Sequence, residues 1–335
     1  MALTKTHVNR GSGGAYSWID TFYHPNVVPG IQQYGRGMPT FGGLWGNIFY
    51  VDDAGAGGTT GGFSPEAAVT TLDAANNLAV ASNGDLVIAL PGHNETIGAA
   101  AAWVCDIAGL TYIGLGRGAN RPTLSFATAT TADVDITAAA VTLCNFLCTN
   151  DLDAIAVAFV VTGADCAMLN MEWRDGTGNA LVMASFSATA DRPLIDGLFF
   201  TGSQTIGSGA GITNSVLVFI GNDNPVVRNS TIITRADIAL IECRTTAVVR
   251  LEVYNCRLMN LDNRAAGTAG TAVEDVVTGS TGLIGPDLFI VLGADAANVT
   301  EAVASATFHF VDPIYIVNAV NEKAMLTNIT ASTDA

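Results

Sequence analysis

The sequence predicts an all-β solenoid, a single body built from short stacked strands. Three observations carry that expectation. The first is a loose internal repeat. Between residues 141 and 258 one pattern recurs five times: an apolar residue, any residue, Asn or Asp, two residues, then another apolar one. Its central positions are Asn145, Asn170, Asp196, Asn229 and Asn255, at intervals of 25, 26, 33 and 26 residues. Leu143, Met168, Leu194, Val227 and Val253 stand two residues before them, and Cys148, Trp173, Phe199, Ile232 and Leu258 three residues after. Self-similarity at that period marks units that stack to bury a continuous core. The second observation is composition: small and β-branched residues abound and charged residues make up only 13% of the chain, which suits tightly stacked strands and excludes a disordered chain. The third is the alternation of short apolar runs with Gly, Asn, Asp and Thr.

The elements follow in order. Residues 1–48 hold nine glycines, three prolines and seven aromatics with no periodicity. Such a segment has no core of its own and reads as an extended arm that orders on a partner. Its contact candidates are Tyr16, Trp18, Phe22, Tyr23, Tyr34, Arg36, Phe41 and Trp45. Residues 49–53 read as a first strand. A capping helix is expected over 64–83, with Ser64 as N-cap, Pro65 at the first helical position, Glu66 in the first turn and Gly84 as the stop. Val69, Leu72, Ala75 and Ala79 mark its apolar face. A helix there would cover the open end of the first coil. Strand runs follow at 86–90, 110–115 and 123–126, then the repeated coils to residue 285. Eight or nine coils at the strand spacing give a rod of roughly 40 Å. The recurring Asn has two readings, a side-chain ladder or tolerance of the turn conformation. Residues 286–335 break the repeat and read as a C-terminal β cap or a subunit-contact segment.

Charge and cysteines narrow the classes of function. The formal net charge is −16, and with residues 1–48 carrying +2 the rest carries −18. So acidic a body repels phosphate backbones and anionic lipid, so neither nucleic acid nor membrane is an expected partner. No apolar stretch approaches the ~18 residues of a membrane span. Residues 1–14 lack the apolar centre of a signal peptide, and synthesis in a cytoplasm is expected. The six cysteines form no Cys-x-x-Cys pair and read as small core residues.

A resemblance enters at the head of the coils. Tyr50-Val51-Asp52, Gly61-Gly62-Phe63-Ser64-Pro65, Gly84-Asp85-Leu86-Val87 and Pro91-Gly92-His93-Asn94-Glu95-Thr96-Ile97 resemble the opening of pectin-lyase-like, right-handed parallel β-helix proteins encoded by tailed phages. The resemblance spans roughly residues 49–285 and implies a right-handed parallel β-helix, assembled as a homotrimer. It implies a virion structural protein, first a capsid decoration (cement) protein on the head surface that contacts the major capsid protein. The alternative is a tailspike or fibre that binds or depolymerises host polysaccharide.

Catalytic signatures are sparse. Glycoside hydrolysis uses two carboxylates about 5 to 10 Å apart; Asp133 with Asp135, and Asp151 with Asp153, lie two apart but have no Lys or His beside them. Glu172, Arg174 and Asp175 around Trp173 form the best lyase-like group, and a surface ion-pair cluster is the plainer reading. The tripeptides Asn-Thr-Asp, Gly-His-Gly and Arg-Ile-Lys are absent. Four scattered histidines offer no metal site. The chain is therefore expected not to be an enzyme and to need no cofactor. Arg228, Arg235, Arg244, Arg250, Arg257 and Arg264 recur every six to nine residues. They are candidates for charge-paired contacts between subunits, with ordinary surface charge as the alternative.

Overall fold

The computed structural model describes residues 46–56, 58, 61–175, 180–202, 213–262, 270–292, 303–304, 307–311 and 314–318. The eight arm candidates from Tyr16 to Trp45, and Arg264, lie outside them. The described residues form strands β1 (Ile48–Val51) to β27 (Ile314–Asn318), numbered in chain order, in three parallel sheets. Each coil gives one strand to each sheet. Thus β2 (Leu86–Ala89) lies in sheet A, β3 (Asn94–Thr96) in sheet B and β4 (Trp103–Cys105) in sheet C, and β5 (Thr111–Gly114) opens the next coil in sheet A. Sheets A, B and C hold ten, nine and eight strands. This is the stacked solenoid that the repeat predicts, in the form of the right-handed parallel β-helix that the resemblance implies. Strands at 288–292, 308–310 and 314–318 continue sheets B, A and B.

Side chains alternate across each strand, so one row of every sheet faces the interior. In sheet A the inward row runs Val87, Tyr112, Leu143, Met168, Ile195 and Val227, all register partners and all buried in one core. Aromatic rings stack along the same axis. Trp173 and Phe200 lie 6.0 Å apart and 6° from parallel, and Phe186 and Phe219 4.9 Å apart. Parallel strands in register bring like side chains one above another, so ring stacking is a product of the fold.

The repeat holds with one correction. Asn145, Asn170, Asn229 and Asn255 all adopt positive φ, between 49° and 64°. In the third repeat the positive φ belongs to Gly197 (74°) and not to Asp196. Register agrees: Ile195, not Leu194, pairs with Met168, and Phe200, not Phe199, pairs with Trp173. The inward residues of this coil are therefore Ile195 and Phe200, one position later than the sequence pattern assigns. A glycine enters the left-handed conformation without steric penalty, which lets the turn slip by one. Asp196 nevertheless keeps a place in the side-chain ladder. Asn170 Nδ2 donates to Asn145 Oδ1 at 2.9 Å, Asn229 Nδ2 to Asp196 Oδ1 at 2.7 Å, and Asn255 Nδ2 to Asn229 Oδ1 at 2.6 Å. The ladder and the turn preference operate together at Asn170, Asn229 and Asn255.

The capping helix is shorter than predicted. Pro65–Ala67 form a single 3-10 turn, and helix α1 spans only Leu72–Asn76. Between them the chain is extended because Val69 pairs with β1: Val69 N–H donates to the Tyr50 carbonyl and Asp52 N–H to that of Val69. The β-branched run Val69-Thr70-Thr71 favours this outcome. Thr71 then becomes the working N-cap, its hydroxyl accepting from Ala74 N–H at 3.1 Å. The buried Leu72 and Ala75 join the interior core, so α1 does close the first coil. Glu95 on β3 fastens it, accepting Leu72 N–H at 2.9 Å and meeting His93 Nε2 at 3.2 Å. His93 is buried behind this joint.

Candidate functional site

Sheet B presents an open outer face. Its inward row includes Trp173, Phe200, Ile232 and Leu258, so the alternate residues look outward. Across β12 (Glu172–Asp175), β15 (Phe199–Thr201), β18 (Thr231–Thr234), β21 (Arg257–Asn260) and β24 (Leu288–Leu292), one outward row reads Glu172, Phe199, Thr231, Arg257, Phe289. The adjacent row reads Arg174, Thr201, Ile233, Met259, Val291. Phe199 is 43% exposed and Phe289 37%. They are three strands apart, about 14 Å at the strand spacing. The Arg257 guanidinium lies over the Phe289 ring, 5.8 Å from its centroid.

The cationic end of this face is built by Glu172. Arg174 Nη2 meets Glu172 Oε1 at 2.5 Å, and Arg121 Nη1 donates to Oε2 at 2.7 Å. Arg121 is mostly buried and reaches across coils, donating also to the carbonyls of Asn145 and Asn170. Burial pulls its guanidinium below the ordinary value, and the Glu172 carboxylate opposes that pull. Among the described residues, Arg121 and Arg174 thus share the Glu172 carboxylate at one end of this face and Arg257 lies over Phe289 farther along it, in a chain whose net charge is −16.

Asp175 is not part of that group. Two residues on from Trp173, its side chain turns to the interior corner, where Trp173 Nε1 donates to Oδ1 at 2.8 Å and Oδ2 has no partner. Burial pushes its carboxyl up to about 6, against the lowering effect of its hydrogen bonds. Gly202 in the next coil leaves it room, since a Cβ there would collide with Thr234 Oγ1 and crowd Asp175 Oδ2. The trio Glu172, Arg174, Asp175 predicted from sequence is therefore split: two members form an outer ion pair and the third lines the interior.

The arginine series does not share a face. Arg228 pairs with Asp196 at 2.8 Å on sheet A, and also donates to the Tyr254 hydroxyl. Arg244 pairs with Glu242 at 2.6 Å beside sheet C, and Arg250 with Asp223 at 2.5 Å at a corner. Arg257 lies on sheet B, and Arg235 buries its Nε without a partner. A period of six to nine residues cannot keep one side of coils that are 25 or more residues round, so the series winds about the body. Asp133 stands just before β7 (Val134–Ile136) of sheet C and Asp135 lies within it; burial and the neighbouring Asp133 raise the Asp135 carboxyl. Among the described residues, no group of three or more His, Cys, Asp or Glu is placed to hold a metal ion.

Sequence reasoning missed Phe199 as a surface residue, because the repeat assigned it inward. It also missed Arg121, which is 51 residues from Glu172. The pairing of Arg257 with Phe289 carried no local signal, since only register brings them together.

No family model and no curated protein matches the chain. Among solved structures it is similar to a rhamnogalacturonan lyase, at 12% identity and a TM-score of 0.48, covering 74% of this chain and 71% of that one. It is also similar to the pectate lyase Pel9A, at 12% identity and a TM-score of 0.41, covering 84% and 79%. The fold itself is a parallel β-helix, established by its own strand pairing. The expectation that the chain is not an enzyme is corrected here. Both of these structures are named as lyases, so missing tripeptides of one hydrolase type are no ground for excluding catalysis.

Proposed function

We propose that the chain engages an acidic polysaccharide along the outer face of sheet B. The observation that supports this reading is the row Glu172, Phe199, Thr231, Arg257, Phe289, with Arg174 beside it. Exposed rings offer stacking surfaces to sugar faces, and guanidinium groups pair with carboxylate or sulfate. The strand spacing of about 4.8 Å is close to the rise of one sugar unit, so an extended glycan can meet successive coils. The cation surplus on this face of an acidic body selects for an anionic chain. Affinity electrophoresis through gels containing polygalacturonate, alginate or dextran tests the reading. The full chain is expected to be retarded by the acidic polymers, and Phe199→Ala with Arg257→Ala to abolish that retardation without changing the circular dichroism. Equal retardation by dextran, or no effect of the double substitution, sinks it. Release of unsaturated or reducing ends is read in the same samples, with Arg174→Ala as the comparison.

A second reading is favoured by the opening residues 50–97, which resemble phage β-helix proteins. In it the chain is a homotrimer that decorates the head surface and contacts the major capsid protein. Sedimentation equilibrium and co-sedimentation with capsids test it; a monomer that stays in the supernatant ends it.

A further inference from the structure

The outer face of sheet B repeats along the axis of the coils. β12 carries a cation, β15 a ring, β18 neither, β21 a cation and β24 a ring: Arg174, Phe199, Thr231, Arg257 and Phe289. Arg174 stands two residues along β12 from the row of Phe199, but its ion pair with Glu172 holds the guanidinium back at that row. Glu172 balances only one of the two arginines that meet it, Arg121 and Arg174, so this end keeps one positive charge in excess. Arg257 supplies one more, three strands on. Among the described residues in the two outward rows from β12 to β24, Arg174 and Arg257 are the cations and Glu172 is the acid. The rings keep the same step, since Phe199 and Phe289 are also three strands apart. Three strands are about 14 Å.

We propose that this face is matched to a glycan with one acidic sugar in every three, the two between being neutral. The inference rests on the sheet B reading above, in which one sugar meets one strand. A polymer with an acid on every unit sets carboxylates over Phe199 and Thr231. The face of a phenyl ring is electron-rich and repels an anion. Thr231 offers a neutral hydroxyl where a guanidinium is needed, and the net charge of −16 penalises each unpaired acid further. A neutral sugar lays its apolar face on Phe199 without dehydrating a charge. With acids three units apart, each meets a guanidinium in a charge-assisted pair. The unit after each acid then meets a ring, at Phe199 and again at Phe289.

Tetrasaccharides of galactose and galacturonate test the spacing, because four units span β12 to β21. The full chain is titrated calorimetrically with three of them: one fully acidic, one with acids on the two end units, one with acids on the two middle units. The last two carry equal charge, so general electrostatic attraction does not separate them. Adjacent acids reach one arginine at a time, and the end-unit diacid is therefore expected to bind about tenfold tighter than the middle-unit diacid. Arg257→Gln is expected to bring the two to the same affinity. Adding Thr231→Arg to Arg257→Gln sets the cations two strands apart, and the preference is expected to move to a tetrasaccharide with acids on its first and third units. Equal binding of the two diacids to the parent chain, tighter binding of the middle-unit diacid, or a preference that the substitutions leave unmoved overturns the spacing and leaves the sheet B reading standing. If none of the three binds, the sheet B reading fails and the spacing fails with it.

Discussion

Truncating Phe200 and Phe199 in turn is the sharpest test of the register. The two residues are neighbours in sequence and opposite in environment: Phe200 is fully buried and stacked on Trp173, whereas Phe199 keeps 43% of its surface in water. Phe→Ala in a packed core costs about 3–5 kcal/mol. Loss of the stack with Trp173 adds about 0.5–1.5 kcal/mol. Phe200→Ala is therefore expected to destabilise by about 4 kcal/mol, since the adjacent coils cannot collapse around a gap without breaking strand pairing. Phe199→Ala returns a half-wet ring to water and is expected to cost less than about 1 kcal/mol. The difference of about 3 kcal/mol is more than a hundredfold in the folding equilibrium. Guanidinium midpoints and unfolding rates, followed by circular dichroism and by tryptophan emission, measure it; both are needed because stacked arrays do not always unfold in one step. Comparable losses for the two variants, or a larger loss for Phe199→Ala, would refute the one-residue slip at Gly197.

Two further outcomes follow from particular groups. Asn170→Gly is expected to lose only the ladder bond to Asn145, about 1 kcal/mol, whereas Asn170→Ala also meets a φ of 50° and is expected to cost about 1 kcal/mol more; equal midpoints would show that turn strain is absent. Asp175 has a folded-state value raised to about 6 from 3.8, so its neutral form is favoured on folding. Its contribution to stability is complete below about pH 4 and is lost as pH rises to about 6, a change of roughly 3 kcal/mol. Asp175→Asn is expected to flatten that part of the stability profile and to raise stability at pH 7; a profile identical to that of the parent would exclude a buried, perturbed carboxyl.

How much was legible in the sequence depends on the range of the interaction. The repeated Asn positions were legible because each acts locally: a left-handed turn needs a residue that tolerates it, whatever lies above or below. The capping helix was half legible. Ser64 and Pro65 are sound start signals, but the pairing of Val69 with β1 competes with helix formation, and that competitor is 18 residues away. Of the lyase-like trio, Glu172 and Arg174 share a face because they are two apart on a strand, and Asp175 falls on the other for the same reason. The rule of alternation was available; the boundaries of β12 were not.

The sequence by itself determined the class of fold, since a period of about 25 residues with short β-type runs can bury its apolar side chains only by stacking coil on coil. It also determined an acidic surface and a chain start rich in aromatics. The tertiary structure alone decided which side of each strand faces in. That choice turns on one-residue register, because a shift of one position sends every side chain to the opposite face. It placed Phe199, Arg257 and Phe289 on one open surface, and buried Cys144 and Leu169 on the outward side of sheet A. Residues 25 to 33 apart become neighbours 4.8 Å apart only when coils stack, and no local pattern in the chain records that adjacency.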